Sequence, residues 1–385
     1  MIRDRAAALE RRAVALSRLG RWDEARDVWM QLVRRNPEDY TYHRGLQCCV
    51  LLDAEPLASQ SGCQVPAAQR GRVLTDDQRA KLATLYEELR AEQPRARAHQ
   101  RLPLDFVQGA EFEAAADVYL RRALGKGVVS LFADVRSALG GPRDARFEAV
   151  RKMAAAYVES LQTQCSFPGE AADSRPVTTS LWALLFLACM EDARGATGEA
   201  LTLLDRALEH TPTLTDLYLY KARVMRHAGD ATAAAAVMDY GRTLDLADRY
   251  LNVKTCKYLL DVGRVTQAEK VVALFTRHEM DPRDNLFEMQ VLWFHQREAE
   301  AHEAAGRWAM ALKRAADVAA QFDQFQHDLF DFHTYCLRRT TLRAYVRALQ
   351  RRTRMHDSKF FLRAALVAVR VYLRLWAHPP VDEEE

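Results

Sequence analysis

The sequence has little of what marks a secreted, membrane-spanning or nucleotide-hydrolysing protein. Its seven cysteines, Cys48, Cys49, Cys63, Cys165, Cys189, Cys256 and Cys336, form no Cys-x-x-Cys pair and are odd in number. That argues against a disulfide framework and for reduced thiols of the cytosol or nucleus, most of them small core residues. Met1-Ile2-Arg3-Asp4-Arg5 opens a charged helix rather than a secretory apolar region. The most apolar stretch, Leu181 to Met190, is too short to span a bilayer. A cytoplasmic protein with no membrane role is expected. Catalytic signatures are equally scarce. There is no Gly-x-x-x-x-Gly-Lys-Ser/Thr loop, dinucleotide fingerprint, nucleophile elbow or His-Glu-x-x-His helix. No strand is expected ahead of any Arg-x-x-Gly-x-Gly/Ala stretch, as an acetyl-CoA loop requires, so no residue constellation supports an enzyme. The nearest approach to a metal site is His295 with His302 and His333 with Cys336. Two ligands without a third read as packed or solvated side chains, since catalytic zinc takes three protein ligands.

Glycine and proline are few, 16 and 12 in 385 residues, whereas Ala, Leu, Arg and Glu abound. That composition predicts a nearly all-helical chain, and no alternating run of β-branched residues suggests a sheet. With 49% hydrophobic and 28% charged residues, the chain has apolar material for a core and the usage of an ordinary soluble protein. Gly195, Gly229 and Gly263 stand 34 residues apart, and Ala200, Ala234 and Ala268 follow each by five. This is the period of the tetratricopeptide repeat (TPR), a helix–turn–helix unit. Glycine turns the chain between antiparallel helices at least steric cost, and the alanine lets the second helix lie close to the first. The template continues with apolar residues at +9 and +12 and Pro near +17. Gly20 supplies Ala25, Trp29, Leu32 and Pro37, Gly195 supplies Leu204, Ala207 and Pro212, and Gly306 supplies Ala311, Ala315 and Val318. Gly109 fits loosely, with Ala114 and Val118 but Arg121 at the third position.

The expected architecture is all-α, with TPR-like helix–turn–helix repeats stacked into a right-handed superhelical solenoid over 1–385. Residues 1–176 hold degenerate repeats with loops at 53–74 and 167–176. Thr75-Asp76-Asp77-Gln78 predicts a capped helix start, and Arg101-Leu102-Pro103-Leu104-Asp105-Phe106 a bridge. Three in-register repeats occupy 177–278, longer helices 279–378, and an acidic, disordered tail 379–385.

Charge is unevenly spread. Between Arg338 and Arg374 there are eleven Lys or Arg residues against one acid, Asp357. Arg339, Arg343, Arg347 and Arg351 recur every four residues, a basic stripe if helical. It reads either as a solvated face or as a surface for an acidic partner or phosphates. A second cluster, Arg249, Lys254 and Lys257, converges only in part from one helix, with Lys221 and Arg226 on the preceding repeat as candidates to complete it. It reads equally as a solvated face or a phosphate site. Tyr250, Trp293 and Phe294 are either core aromatics or anchors for a partner.

Longer stretches then narrow the field. Arg34-Arg35-Asn36-Pro37-Glu38-Asp39-Tyr40, Lys126-Gly127-Val128-Val129-Ser130-Leu131-Phe132, Thr211-Pro212-Thr213-Leu214, Lys221-Ala222-Arg223, His227-Ala228-Gly229-Asp230, Leu246-Ala247-Asp248-Arg249-Tyr250-Leu251-Asn252, Met289-Gln290-Val291-Leu292-Trp293-Phe294 and Asp331-Phe332-His333-Thr334-Tyr335-Cys336 stand in this order. The chain thereby resembles the large auxiliary subunit of the N-terminal acetyltransferase A complex (NatA). The resemblance implies a non-catalytic scaffold that wraps a small GNAT-fold catalytic subunit, shapes its specificity and anchors it to the ribosome. That subunit uses acetyl-CoA to acetylate nascent N-termini with small first residues. A small regulatory protein is a further implied partner, with nucleic acid met only through the ribosome. The resemblance also implies inositol hexakisphosphate bound near Arg249, Lys254 and Lys257, and Tyr250 and Trp293 facing the catalytic subunit, with Tyr250 in place of a more usual Phe. Family members are longer, so the N-terminal repeats and the lysine-rich C-terminal part are expected to be missing here, and 53–74 exceeds the family pattern. An independent TPR adaptor that takes peptides in its concave groove is the alternative.

Overall fold

The computed structural model describes residues 4–52, 74–339 and 342–379, excepting the side chains of 329–334, 336, 337, 342 and 343. Among them are nineteen α-helices, two short 3-10 turns and no strand. They are grouped in two compact units, Met1–His210 and Thr211–Glu385. The all-α class of TPR-like helix pairs is therefore what the chain adopts. Within the first unit, α1 (Arg5–Arg18), α2 (Trp22–Arg35), α3 (Tyr40–Leu51), α4 (Asp76–Glu92) and α5 (Ala98–Arg101) are followed by α6 (Gly109–Gly125), α7 (Leu131–Leu139), α8 (Ala145–Gln164), α9 (Thr178–Arg194) and α10 (Thr197–His210). The second unit comprises α11 (Thr215–His227), α12 (Ala231–Thr243), α13 (Arg249–Asp261), α14 (Val265–Ala273), α15 (Pro282–Glu288), α16 (Leu292–Ala304), α17 (Trp308–Arg339), α18 (Leu342–Arg352) and α19 (Lys359–Ala377).

The repeat template maps onto packing. Gly195, Gly229 and Gly263 have φ of 83°, 94° and 75°, left-handed values that carry the chain from one helix to the next. Five residues on, Ala25, Ala200, Ala234, Ala268 and Ala311 are all fully buried, each a methyl group wide where two helix backbones meet. The apolar residues at +9, Trp29, Leu204, Met238, Val272 and Ala315, are buried as well. Gly109 breaks the rule: Ala114 is exposed and Val118 is 62% exposed. Helix α6 turns Phe112, Ala116, Tyr119 and Leu120 inward instead, because only the short α5 and a 3-10 turn precede it rather than a full first helix.

In the first unit, Trp29 is fully buried and lies against Gly45, where a Cβ would overlap the indole. The predicted capping box forms: Thr75 accepts from the Gln78 amide at 3.2 Å while Gln78 accepts from the Thr75 amide at 3.1 Å. The 101–106 bridge is a buried turn of helix, and α7 begins at Leu131, later than the apolar run from Val128 suggests. Residues 167–176 are irregular but pinned, with Asp173 N donating to the Gln164 carbonyl and Arg175 N to that of Cys165. The segment 53–73 and the tail 381–385 fall outside the described residues. Buried thiols occur at Cys48, Cys49, Cys189 and Cys256 with Cys165 half-buried, none of these five in a disulfide.

The second unit holds the candidate residues. Its first core joins α11 to α14 through Ala222, Ala234, Met238, Leu251, Leu259, Ala268 and Val272, and reaches Leu286 and Phe294. A further core sets Ala299, Ala311, Ala315, Val318 and Phe322 of α16 and α17 against Ala364, Val367 and Val371 of α19. Beyond 279 the helices range from the 7 residues of α15 to the 32 of α17.

Candidate functional site

Helix α13 positions most of the candidate residues. Asp248 caps it, accepting from the amides of Tyr250 at 2.7 Å and Leu251 at 3.2 Å. Its inner face is buried at Leu251, Asn252, Thr255, Cys256 and Leu259. Two polar side chains on that face latch onto neighbouring backbones. Asn252 Nδ2 donates to the Val271 carbonyl at 2.7 Å, and Thr255 Oγ1 to the Met238 carbonyl at 3.2 Å. Burial pushes the Cys256 thiol up to about 12, so it stays an uncharged packing group.

With the inner face fixed, the outer face is fixed too. Tyr250 is 55% exposed, and Lys254 Nζ lies 5.2 Å from its ring centroid. Lys257 Nζ lies 4.7 Å from the ring of Trp293 on α16, a cation–π contact that ties α13 to α16. Trp293 is half-buried; its neighbour Phe294, expected as a possible anchor, is fully buried at 0% exposure and meets Trp293 edge-on. The Phe294 ring thus belongs to the core, since consecutive helical residues point about 100° apart, and of the three aromatics Tyr250 and Trp293 are the ones that reach the surface.

The basic residues divide. Burial, then Arg297, Lys254 and Lys359, hold the Lys257 ammonium below its ordinary range, with Asp261 opposing. A site of repelling cations around a half-buried lysine is one where a multivalent anion relieves the repulsion. Arg297 and Lys359, from α16 and α19, were not picked out in the sequence because they lie 40 and 102 residues beyond Lys257. Arg249 sits apart, stacked 5.3 Å from the ring centroid of Phe275. Arg226 is engaged by the Tyr258 ring and by Asp261 at 3.6 Å, and Asp261 also pairs with Arg297.

Histidines 295 and 302 are buried, and burial lowers both to about 4, so they pack as neutral rings. They border a polar knot that sequence reasoning missed. Glu298, fully buried on α16, has Arg283 Nε, Arg314 Nε and His302 Nε2 at 3.5, 3.6 and 3.6 Å from Oε1. Neither Glu298 oxygen has a hydrogen-bond partner. Among the described residues no three His, Cys, Asp or Glu side chains could hold a metal. The pair His333 and Cys336 lies outside the described side chains, as does Arg343 of the basic stripe. Arg339 ends α17, whereas Arg347 and Arg351 belong to α18, so the four-residue beat is shared between two helices. No described helix is long and apolar enough to cross a membrane.

Paired helices with an aromatic and basic outer face define a helical-repeat protein. The chain belongs to the family of the N-terminal acetyltransferase A auxiliary subunit, whose model matches residues 1–385. It is similar to the N-terminal acetyltransferase A complex auxiliary subunit NAA15 of Arabidopsis thaliana, with 39% identity over 98% of this chain and 40% of that protein. It is also similar to the human N-alpha-acetyltransferase 16, NatA auxiliary subunit, with 34% identity over 96% of this chain and 40% of that one. A solved structure of Naa15/Naa10 bound to HypK-THB matches with a TM-score of 0.82 and 34% identity, over 99% of this chain and 53% of that chain. The chain spans about two fifths of the length of these curated relatives.

Proposed function

We propose that this chain binds the catalytic subunit of an N-terminal acetyltransferase A complex and tunes its specificity without donating a catalytic group. The observation that carries this reading is the Tyr250 and Trp293 surface, two aromatic rings at the outer face of neighbouring elements, each with a lysine against it. Exposed aromatics in a pre-formed frame are where interfaces concentrate their energy. A contact that holds a substrate-binding loop of the partner changes selectivity through its coupling free energy alone. In this reading Lys254 and Lys257, joined by Arg297 and Lys359, hold inositol hexakisphosphate beside the interface, with Arg249 at its margin. Acetyl-CoA is then consumed by the partner, in the cytoplasm and at the ribosome, and a small regulatory protein is a further partner. The structural neighbour, solved as Naa15/Naa10 with HypK-THB, favours both protein partners over a free peptide adaptor.

Acetylation of a Ser-Glu-Ser peptide, measured with the chain alone, with the candidate catalytic subunit alone and with both, tests the reading. The expected result is no turnover by the chain alone and a changed rate or peptide preference for the pair. Turnover by the isolated chain would overturn it.

A further inference from the structure

Helix α19 is apolar on two opposite sides. One side is the buried row Ala364, Val367 and Val371. On the other, Leu362, Leu366, Val369, Leu373 and Trp376 are 51%, 53%, 53%, 60% and 85% exposed, with Tyr372 beside them at 62%. An apolar stripe on a helix is ordinarily laid against another element. The spacing of the exposed five, alternately four and three residues, is the seam that receives a second helix by knobs-into-holes packing.

The charges beside the seam say which helix fits. Lys359–Ala377 contains no acid. At about 100° per residue, Lys359, Arg363, Arg370 and Arg374 all fall on one flank of the stripe, while Ala365 and Tyr372 form the other. Arg363 and Arg370 are held bidentate by Glu300 and Glu303 of α16, and Arg374 stacks 4.9 Å from the Trp308 ring centroid. Two acids against four cations leave that flank net positive. A second copy laid antiparallel on the seam would set basic flank against basic flank, and one laid parallel would leave its cations against the uncharged Ala365 and Tyr372 flank, so neither pairing supplies the acids that the basic flank calls for. A lipid surface would be met better by cations on both flanks of the apolar stripe, whereas here they line one.

We propose that the outer face of α19 is a docking site for an amphipathic helix of another protein, apolar along its seam and acidic along one flank. This surface is distinct from Tyr250 and Trp293, and its test does not involve acetylation. Two labelled synthetic peptides serve as probes, each a 21-residue helix with a leucine heptad seam, as in a short coiled coil of about three heptads, flanked in one by glutamate and in the other by lysine. The glutamate peptide should bind the full chain at least about tenfold more tightly in anisotropy titrations, a difference of about 1.4 kcal/mol. Leu366→Ser with Leu373→Ser should abolish that binding while circular dichroism keeps its helical signal. Equal binding of the two peptides, binding unchanged in the double variant, or no binding of either would overturn the proposal. So would a chain dimer in sedimentation velocity that the double variant dissolves, or binding to vesicles of phosphatidylcholine and phosphatidylserine that the same variant removes.

Discussion

Single side chains carry the distinctions that matter in the second unit. Trp293 and Phe294 are neighbours in sequence, yet one is half-buried beneath a lysine and the other lies in the core. Truncating each should therefore fail differently. Tyr250→Ala and Trp293→Ala should each weaken capture of the catalytic subunit by about 2 kcal/mol, the scale of an interface anchor, with circular dichroism unchanged. Isothermal titration with the purified partner measures this, and wild-type affinity in both variants would remove the interface role. Phe294→Ala should instead lower stability by about 3–5 kcal/mol through the cavity it leaves. In the first unit the corresponding point of closest approach is Gly45. Its extra methyl in Gly45→Ala would press on the Trp29 indole, and urea unfolding should register a loss of about 1–3 kcal/mol.

Between helices, the polar knot on α16 makes stability depend on pH. Burial first, offset by Arg314 and Arg283, pushes Glu298 up to about 7, with Glu269 adding to the rise. A carboxyl raised in the folded state stabilises most where it is protonated in both states, below about 4.5, and that contribution is lost as pH climbs toward 7. His295 and His302 act in the opposite sense: lowered to about 4, they favour the fold above 6.5 and withdraw that support as pH falls. The groups facing Glu298 are Glu269 of α14, Arg283 of α15, His302 on its own helix and Arg314 of α17. Glu298→Gln should remove the opposing loss, so that stability rises more steeply between pH 5 and 7, seen by following thermal unfolding across that range; an unchanged profile would contradict the assignment. Little of this was legible beforehand. The glycine and alanine spacing foretold the helix pairs because it records the tightest backbone approach, and that approach recurs at Ala25, Ala200, Ala234, Ala268 and Ala311. The same spacing misled at Gly109, where the preceding partner helix is too short to impose the register. Phe294 and Glu298 sit at helical positions whose neighbours α15, α17 and α19 are set by long-range packing, which periodicity along one helix does not encode. Lys359 joins the cations around Lys257 for the same reason.

At the scale of the whole chain, the candidate sites all lie in Thr211–Glu385, one of two compact units. Inositol hexakisphosphate at a hundredfold excess over its Kd should stabilise the fold by about 2.7 kcal/mol. Hydrogen exchange should slow in α13, α16 and the start of α19 and stay unchanged throughout Met1–His210. Lys254→Glu with Lys257→Glu should erase both effects, Arg249→Glu should erode them less, and added salt should weaken them; protection that survives the lysine reversals would place the anion elsewhere. One buried amide reaches further than its size suggests. Asn252 Nδ2 and the Leu274 amide both donate to the Val271 carbonyl, so the last turn of α14, which stops at Ala273, is tied to α13 from outside that helix. Phe275 follows directly, and its ring carries the Arg249 guanidinium. The address of a surface charge is thus written by an uncharged residue in the interior. Asn252→Leu would remove that tie while leaving the Leu274 bond, loosen the end of α14 against α13, and shift the ring on which Arg249 rests.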